Sequence, residues 1–574
     1  MSSTVRKGGD FLLRDCNSME IFSPEDFTDE HKQISETTRS FVVNEIWPIN
    51  AEIENKNFDL VVKNLKKCGQ LGLLMIDVPE EYGGLQLDKV TNMIVTEQLA
   101  AAMNFGLAYL VHTGIGMLPL IYYGTAEQKG RYLEKLMTAE WVAAYCLTEP
   151  GSGSDALGAR TTAVLSEDGA HYVLNGTKQF ISNVAFADLF TVFAKVDGKH
   201  FSAFLVERSF EGLECGPEEK KMGMHGSSTR QVILNNTKVP AENLLGEVGK
   251  GHKIAFNVLN VGRFKLGAFC AGQKKFALAE GARYANERKQ FNTAISSFGA
   301  VREKLADVTA MIFASESTVY RVAGLIDEKL ALVDRASDSY SVDYQKGIEE
   351  YAAECAMVKV YCTELSSKAI DEMLQVHGGY GFIAEYPIEQ LYRDERVQRI
   401  YEGTNEINRL LIPSILRQRG VEGGAQDDSL HRVADGQFAP QKNLLKKMKS
   451  LYHLIADRAS QKFNVHVPGD QEIFLALADA VMQIFAMESV LLRIEKNIGI
   501  TTKEKMELFL AVLTVCSFDA RQKFITAMER AAAFLDEAAY DEAVAQISVN
   551  TITGLLAAKH LLATKVSETE KYIF

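Results

Sequence analysis

Trp141-Val142-Ala143-Ala144-Tyr145-Cys146-Leu147-Thr148-Glu149-Pro150-Gly151-Ser152-Gly153-Ser154-Asp155 is where the chain changes its period. Upstream, apolar residues recur every three or four positions, as on one face of a helix; from Trp141 the spacing falls to two. Trp141 to Leu147, His171 to Leu174, Gln179 to Ser182, Leu189 to Val196, Ser202 to Val206 and Gln231 to Val239 are short β-type runs bounded by Gly, Asn and Asp. Strands in succession with no helix between them predict a compact, barrel-like β module and speak against a doubly wound parallel sheet. After the first run, Gly151 and Gly153 let the backbone turn tightly, and Thr148, Ser152 and Ser154 offer hydroxyls beside amide groups. Such a loop suits a flat heterocycle or a phosphate, and it equally suits an ordinary turn between strands.

Outward from this module the chain reads as helix on both sides, so the predicted fold is mostly α with a central β module. Toward the N-terminus, Asp29 is placed to cap a helix holding Ile34, Phe41 and Val42, and Pro48 interrupts it. Pro79-Glu80-Glu81-Tyr82-Gly83-Gly84 is a loop, followed by helices over Lys89 to Ala102, Phe105 to Tyr123 and Ala126 to Met137. Toward the C-terminus, Val258 to Arg288, Val301 to Glu328 and Tyr344 to Val376 have the length and period of an antiparallel bundle. Gly420 to Pro440 has the composition of a linker, and Leu444 to Asp457, Gln471 to Ile494, Lys503 to Glu537 and Thr551 to Val566 form a further helical unit. The expected domains are therefore 27–140 (helical), 141–245 (β), 246–420 (helical bundle), 421–440 (linker) and 441–574 (helical).

Composition limits what such a chain does. At 574 residues it needs several cores, and 47% apolar with 24% charged residues is an ordinary globular balance. A formal net charge of -13 argues against a nucleic-acid partner. No apolar run in the sequence approaches the roughly 20 residues that span a bilayer, and Met1 to Asp15 lacks the apolar core of a signal peptide, so a cytoplasmic location is expected. The eight cysteines, Cys16, Cys68, Cys146, Cys215, Cys270, Cys355, Cys362 and Cys516, include no Cys-x-x-Cys pair and no histidine at ligand spacing, which predicts reduced, packed thiols and no metal site. There is no Walker loop, no Gly-x-Ser-x-Gly elbow and no Gly-x-Gly-x-x-Gly after a strand.

The chemistry is expected in Ile400-Tyr401-Glu402-Gly403-Thr404-Asn405-Glu406-Ile407-Asn408-Arg409. Gly403 lets the backbone approach a ligand closely, and Glu402 beside bare amide donors could take a proton from a carbon next to a carbonyl while those donors hold the oxygen. Taken by itself, the same turn would equally serve to end one helix and begin the next.

Helical layer, β module with Tyr145 to Asp155, helical bundle and Tyr401-Glu402-Gly403-Thr404, in that order, resemble the acyl-CoA dehydrogenase family over roughly Phe27 to Gly420. Asn260-Val261-Gly262-Arg263-Phe264, Asn286-Glu287-Arg288-Lys289-Gln290-Phe291 and the extra C-terminal unit are similar to its very-long-chain branch. The resemblance implies a helical domain, a β domain and a four-helix bundle, with an added C-terminal helical domain. It implies α,β-dehydrogenation of a fatty acyl-CoA to trans-2-enoyl-CoA in β-oxidation, with Glu402 as base, FAD as hydride acceptor and an electron-transferring flavoprotein as partner.

By the same resemblance Tyr145, Leu147, Thr148, Gly153, Ser154, Phe180 and Ser182 line the flavin, Phe180 standing where the family usually has Trp. Arg288, Gln290, Phe291, Gln375 and Gly379 would reach the FAD of a neighbouring subunit, which implies a homo-oligomer, a dimer rather than a tetramer, while Thr404 and Glu406 would lie beside the adenosine diphosphate portion. Ser154, Arg263, Tyr401, Glu402 and Gly403 would meet the acyl-CoA, with Gly106, Gly114 and Gly116 on the floor of the acyl cavity. Asn260, Val261 and Gly262 carry no carboxylate that would rival Glu402 as base. Lys442, Lys446, Lys447 and Lys449 would either lie on an anionic membrane surface or form a solvated face. An acyl-CoA oxidase using oxygen and a flavin-bearing, DNA-associated alkylation-response protein share this architecture and are the alternatives.

Overall fold

In the computed structural model, residues 6–335, 337, 340–421, 430, 432–535, 547 and 553–574 are described. The expected linker over 421–440 and the start of the helix expected from Thr551 lie partly outside them. Two compact units divide the chain: Thr28–Lys265 with Val333–Glu349, and the segment up to Phe27 with Leu266–Leu332 and Glu350–Phe574.

The first unit begins with the helix Asp29–Phe41, whose cap is Thr28 rather than Asp29: the Thr28 hydroxyl accepts from the His31 N–H at 3.2 Å, and Asp29 sits in the first turn. That position still favours a carboxylate, because the helix N-terminus is electropositive. Phe41 and Phe105 meet at 5.8 Å in a core completed by Ile46, Ile53, Leu65 and Leu99. Lys89–Tyr123 and Pro468–Lys496 are long and apolar enough to cross a membrane, contrary to the sequence expectation that no stretch has that reach. In each, 89% of the apolar window is buried inside the fold, as in the core helices of a globular protein.

The β module is an eight-stranded sheet: β1 (Ala143–Cys146), β2 (Thr162–Leu165), β3 (His171–Ser182), β4 (Leu189–Val196), β5 (His200–Glu207), β6 (Leu213–Cys215), β7 (Thr229–Pro240) and β8 (Leu244–Leu245). Their order is β6-β7-β3-β2-β4-β5-β8, with β1 beside β4; β1 and β2 run parallel to β4 and the other pairs are antiparallel. Among the described residues the sheet does not close, which corrects the barrel-like expectation: its end strands β6 and β8 each pair on one side only and not with each other.

The runs expected at His171 to Leu174 and Gln179 to Ser182 are one strand. Gly176, Thr177 and Lys178 between them pair with Leu234, Ile233 and Val232, and two bulges, at Leu174/Gly176 and Lys178/Ile181, break the alternation that would have revealed it. Strands β2 and β6 escaped the sequence reading because they are short and half exposed.

The second unit is helical. The helix Gly299–Leu330 lies against Ala352–His377, Gln471–Lys496, Lys503–Ala532 and Leu555–Thr569, so the C-terminal helices pack directly on a bundle helix. The single helix expected over Tyr344 to Val376 is two, Tyr340–Glu349, which belongs to the first unit, and Ala352–His377. At the break, Glu350 accepts from the Gly8 N–H at 2.9 Å and the Tyr351 hydroxyl donates to Arg6 O at 2.8 Å.

Buried ion pairs bind this unit together. Arg493 is 1% exposed and forks onto Glu25 at 2.8 Å and Glu316 at 3.1 Å, over the face of Phe313. Glu488 takes Arg321 at 2.7 Å and Lys449 at 2.6 Å. Lys442 pairs with Glu495 and Lys446 with Asp15, so three of the four lysines considered for a membrane surface have acidic partners within the protein, Lys449 in full burial and Lys442 half-exposed. All eight cysteines are free thiols and six are buried.

Removing one partner of such a pair leaves a bare buried charge. Arg493→Met is expected to cost about 3–5 kcal/mol in chemical denaturation. Burial alone would push the Glu25 carboxyl up, but Arg493 outweighs it and holds the group at about 2 instead of 4.5. Stability from this pair is full above pH 4.5 and drains as the pH falls toward 2, a slope that Arg493→Met should remove from the acid side of the profile.

Candidate active site

In the first unit, the loop after β1 is rooted on a buried charge. Glu149 accepts from Arg160 N at 2.6 Å, Thr161 N at 3.0 Å, the Thr161 hydroxyl at 2.5 Å and Lys178 Nζ at 2.7 Å. Burial raises this carboxyl, but Lys178 and the amide donors overcome it and hold the group below the usual carboxylate range. Lys178 also donates to Leu147 O at 3.3 Å, so both ends of Leu147–Glu149 are tied to β3. Glu149 and Ser152 exchange backbone hydrogen bonds of 2.9 and 3.1 Å, closing a tight turn. A β-carbon on Gly151 or Gly153 would meet nothing within 4 Å, so the turn stands open on its outer side, with Ser154 exposed.

The bulge between Lys178 and Ile181 throws Phe180 out of the sheet. Phe180 has φ of +58° and is 63% exposed, an expensive conformation for an aromatic residue, of order 1–3 kcal/mol. The preceding Gln179 N–H donates to Thr148 O at 2.9 Å, which places the exposed ring beside the Thr148 loop. An aromatic face, a hydroxyl and an open glycine turn thus share one edge of the sheet. Tyr145 lies deeper: its hydroxyl donates to Ala255 O at 3.4 Å and its ring meets Phe193 edge-on at 5.1 Å. Ser182 is half-buried and paired with Thr229. Arg263, expected to face CoA, is 6% exposed and donates to Asn260 at 2.8 Å; as a residue of the long helix Gly251–Glu287 it turns its guanidinium to an inward partner.

In the second unit, Glu402 and Gly403 both take left-handed backbone angles, φ +57° and +78°. The Asn408 side-chain amide gathers the carbonyls of Glu402, Gly403 and Thr404 at 3.3, 2.8 and 3.0 Å, and Lys359 Nζ adds bonds to Gly403 O at 2.8 Å and Asn405 Oδ1 at 2.7 Å. Because a trans peptide points its N–H opposite its C=O, the N–H groups of Gly403 and Thr404 face away from Asn408. Oε2 of Glu402 is shielded from solvent, and the neighbouring Tyr401 hydroxyl is buried without a hydrogen-bond partner among the described residues. Burial, then Cys270 and Glu402, push the Tyr401 phenol far up, so it stays protonated. Thr404 and Glu406 have structural tasks of their own: Thr404 caps the helix Asn405–Gln418 through Ile407 N at 3.3 Å, and Glu406, held low first by its own backbone N–H, sits in the first turn.

The structure also brings Arg288 to the segment after the helix Ala352–His377. Its guanidinium stands 5.7 Å from the Tyr380 ring centre, over a cavity lined by Glu280, Arg283, Tyr284, His377 and Tyr386, while Gln375 and Gly379 are exposed alongside. Gln290 lies in the ribbon Lys289–Gln290 with Thr293–Ala294, whose two-residue turn has both Phe291 and Asn292 at positive φ; Phe291 is 90% exposed. Sequence reading missed Lys359, Asn408 and the Glu149–Lys178 pair. Asn405 and Asn408, three apart at a helix start, were the one local signal, since asparagine there competes for backbone groups.

Models described as acyl-CoA dehydrogenase match this chain over four segments: N-terminal domain at 28–140, middle domain at 144–237, and two C-terminal domain models at 249–416 and 447–535. A probable acyl-CoA dehydrogenase of Bacillus subtilis (strain 168) is 47% identical over 517 residues, 88% of this chain and 87% of that protein. The mitochondrial very long-chain specific acyl-CoA dehydrogenase of Homo sapiens is 38% identical over 382 residues, 63% of this chain and 54% of that protein, so the match spans about half its length. A crystal structure of an acyl-CoA dehydrogenase complexed with FAD from Bacillus anthracis superposes with a TM-score of 0.95 and 43% identity, covering 99% of this chain and 100% of that one.

Asn408→Ala would leave the three gathered carbonyls short of a donor inside the protein. It is expected to cost about 1–3 kcal/mol in denaturant unfolding, with the helix Asn405–Gln418 showing the largest rise in amide exchange at its first turn.

Proposed function

The chain belongs to the acyl-CoA dehydrogenase family, and on that footing we propose that it converts long-chain fatty acyl-CoA to trans-2-enoyl-CoA in β-oxidation, passing electrons to an electron-transferring flavoprotein. The enzyme is FAD-dependent. When bound, FAD accepts the hydrogen that leaves the β-carbon with its electron pair. The residues present suit it: the exposed, strained ring of Phe180 offers a face to a flat heterocycle, and Thr148, Ser182 and the open turn at Gly153 and Ser154 offer hydroxyls and accessible backbone. Leu147 and Tyr145 complete that wall, Tyr145 from the core side. Phe keeps the stacking surface of the usual Trp and lacks its indole donor.

Glu402 removes the α-proton, which moves to a carboxylate oxygen as the α-carbon–hydrogen bond breaks. The observation that carries this assignment is the turn itself: a carboxylate on a left-handed residue, shielded from solvent, with its carbonyls clamped by Asn408 and Lys359 and neighbouring N–H groups turned outward. Amide donors at that turn, including the N–H of Glu402, hold the thioester oxygen as it gains charge, a contribution of about 3 kcal/mol for each well-placed donor. Tyr401 and Gly403 flank the substrate, and the exposed Ser154 lies toward CoA, whereas Arg263 keeps its inward bond to Asn260.

The exposed Phe291, with Arg288, Gln290, Gln375 and Gly379, reaches the cofactor of a second copy, making the enzyme a homo-oligomer, with a dimer as its smallest complete form. Long chains are accommodated where the helix departs from α geometry at Gly114.

Anaerobic titration with acyl-CoAs of graded length tests both parts. Glu402→Gln is expected to keep FAD and lose flavin bleaching by a factor of roughly 10²–10⁴ in rate. Bleaching within tenfold of the parent would put the base elsewhere.

A further inference from the structure

Lys265, in the first unit, is 2% exposed, and among the described residues its ammonium has no hydrogen-bond partner. Asp77 and Lys89 lie beside it. The two Asp77 oxygens are already engaged, one by Lys89 Nζ and one by the Asn92 amide, and Lys89 also reaches the Tyr122 hydroxyl at 3.3 Å. Two ammonium groups therefore share one carboxylate inside the fold. Burial drags Lys265 down to about 8, with Asp77 pulling it up and Lys89 pushing it further down, so at neutral pH it still carries its proton. A desolvated cation without an acceptor is costly to keep.

Few of the described atoms lie beside that cation at Gly114. The helix widens to a π turn at His112–Gly116, where Gly114 leaves helical geometry at φ −93° and ψ −107°. Such turns recur at functional sites. Gly114 is buried, yet among the described residues, its chain neighbours and own helix backbone aside, a β-carbon there would meet only Lys265 Nζ, at 3.9 Å. Gly116 is the opposite case, since a β-carbon would strike Val111 O at 2.8 Å and Ala143 Cβ at 2.9 Å. Close packing accounts for Gly116, while Gly114 leaves room beside an unsatisfied charge.

We propose that this space receives the far end of the acyl chain and that Lys265 recognises a carboxylate there, making ω-carboxyacyl-CoA thioesters a substrate class of this enzyme. The assignment rests on the proposed function, in which the segment around Gly114 borders the acyl cavity. A methyl-ended chain leaves the ammonium without an acceptor, whereas a carboxylate supplies one through a charge-assisted hydrogen bond. The ω group serves only to bind; the bonds broken at the α- and β-carbons are those of the parent reaction.

The test is anaerobic titration of the holoenzyme with two matched length series, methyl-ended and ω-carboxylated acyl-CoAs, reading flavin bleaching. The ω-carboxylate should lower the half-saturating concentration about tenfold or more, at the one or two adjacent lengths that reach Lys265. Lys265→Met should erase that advantage, measured as the ratio between the two series. A carboxylate that weakens binding at every length, or an advantage that survives Lys265→Met, overturns the proposal. The length optimum of the parent enzyme decides the matter even where the variant fails to fold. Bleaching by methyl-ended chains alone removes only this inference, whereas bleaching by neither series removes the dehydrogenase assignment and this inference with it.

Discussion

The amide of Asn408 is the contact on which the candidate active site depends. Three consecutive carbonyls converge on it, and that convergence turns the Glu402–Thr404 peptides so that the N–H groups of Gly403 and Thr404 face the other way. A glutamate at φ +57° is uncomfortable, at a cost of order 1–3 kcal/mol, and the conformation persists because the surroundings over-determine it. Lys359 reaches the same turn from the helix Ala352–His377, bonding Gly403 O and Asn405. The proposed base and its amide donors thus occupy one short turn whose shape is set by Asn408, four to six residues on, and by Lys359, 44 residues back from Gly403.

Phe180 repeats the device in the first unit. Here a β-bulge supplies the strained backbone, and Lys178, fully buried against Glu149, supplies the anchor. In both places a buried lysine stabilises a turn by donating to backbone carbonyls, Leu147 O in one and Gly403 O in the other. Lys265 breaks the pattern. It is as deeply buried as the other two, yet among the described residues its ammonium finds no acceptor, and it stands 3.9 Å from where a β-carbon on Gly114 would lie. That contrast separates a lysine used to build from the one proposed to bind.

Charge also organises the helical unit. Arg493, Arg321, Lys449 and Lys496 each find carboxylate partners on segments far away in sequence, among them Glu25 and Asp26 near the N-terminus. The C-terminal residues join the same network: the Tyr572 hydroxyl donates to Glu316 at 2.5 Å and Phe574 stacks on Phe509 at 5.4 Å. Ion pairs of this kind contribute little net free energy, but removing one partner strands a charge in an apolar interior.

The amino-acid sequence by itself determined the alternation of helical and β segments, the place of the period change at Trp141, and the two loops where glycine meets hydroxyls or a carboxylate. Those features are local, written in spacing and in residue type over a dozen positions, and they were legible for that reason. The merging of two runs into β3 was hidden because bulges disturb the very alternation that identifies a strand. The helix break at Glu350 and Tyr351 was hidden because its cause is the N-terminal segment, more than 300 residues away. Whether Thr404 is a cap, whether Arg263 turns inward and whether a lysine such as Lys449, Lys359 or Lys265 has a partner were decided by tertiary structure alone. A charge carries no mark of its burial or of its neighbours until the chain has folded around it.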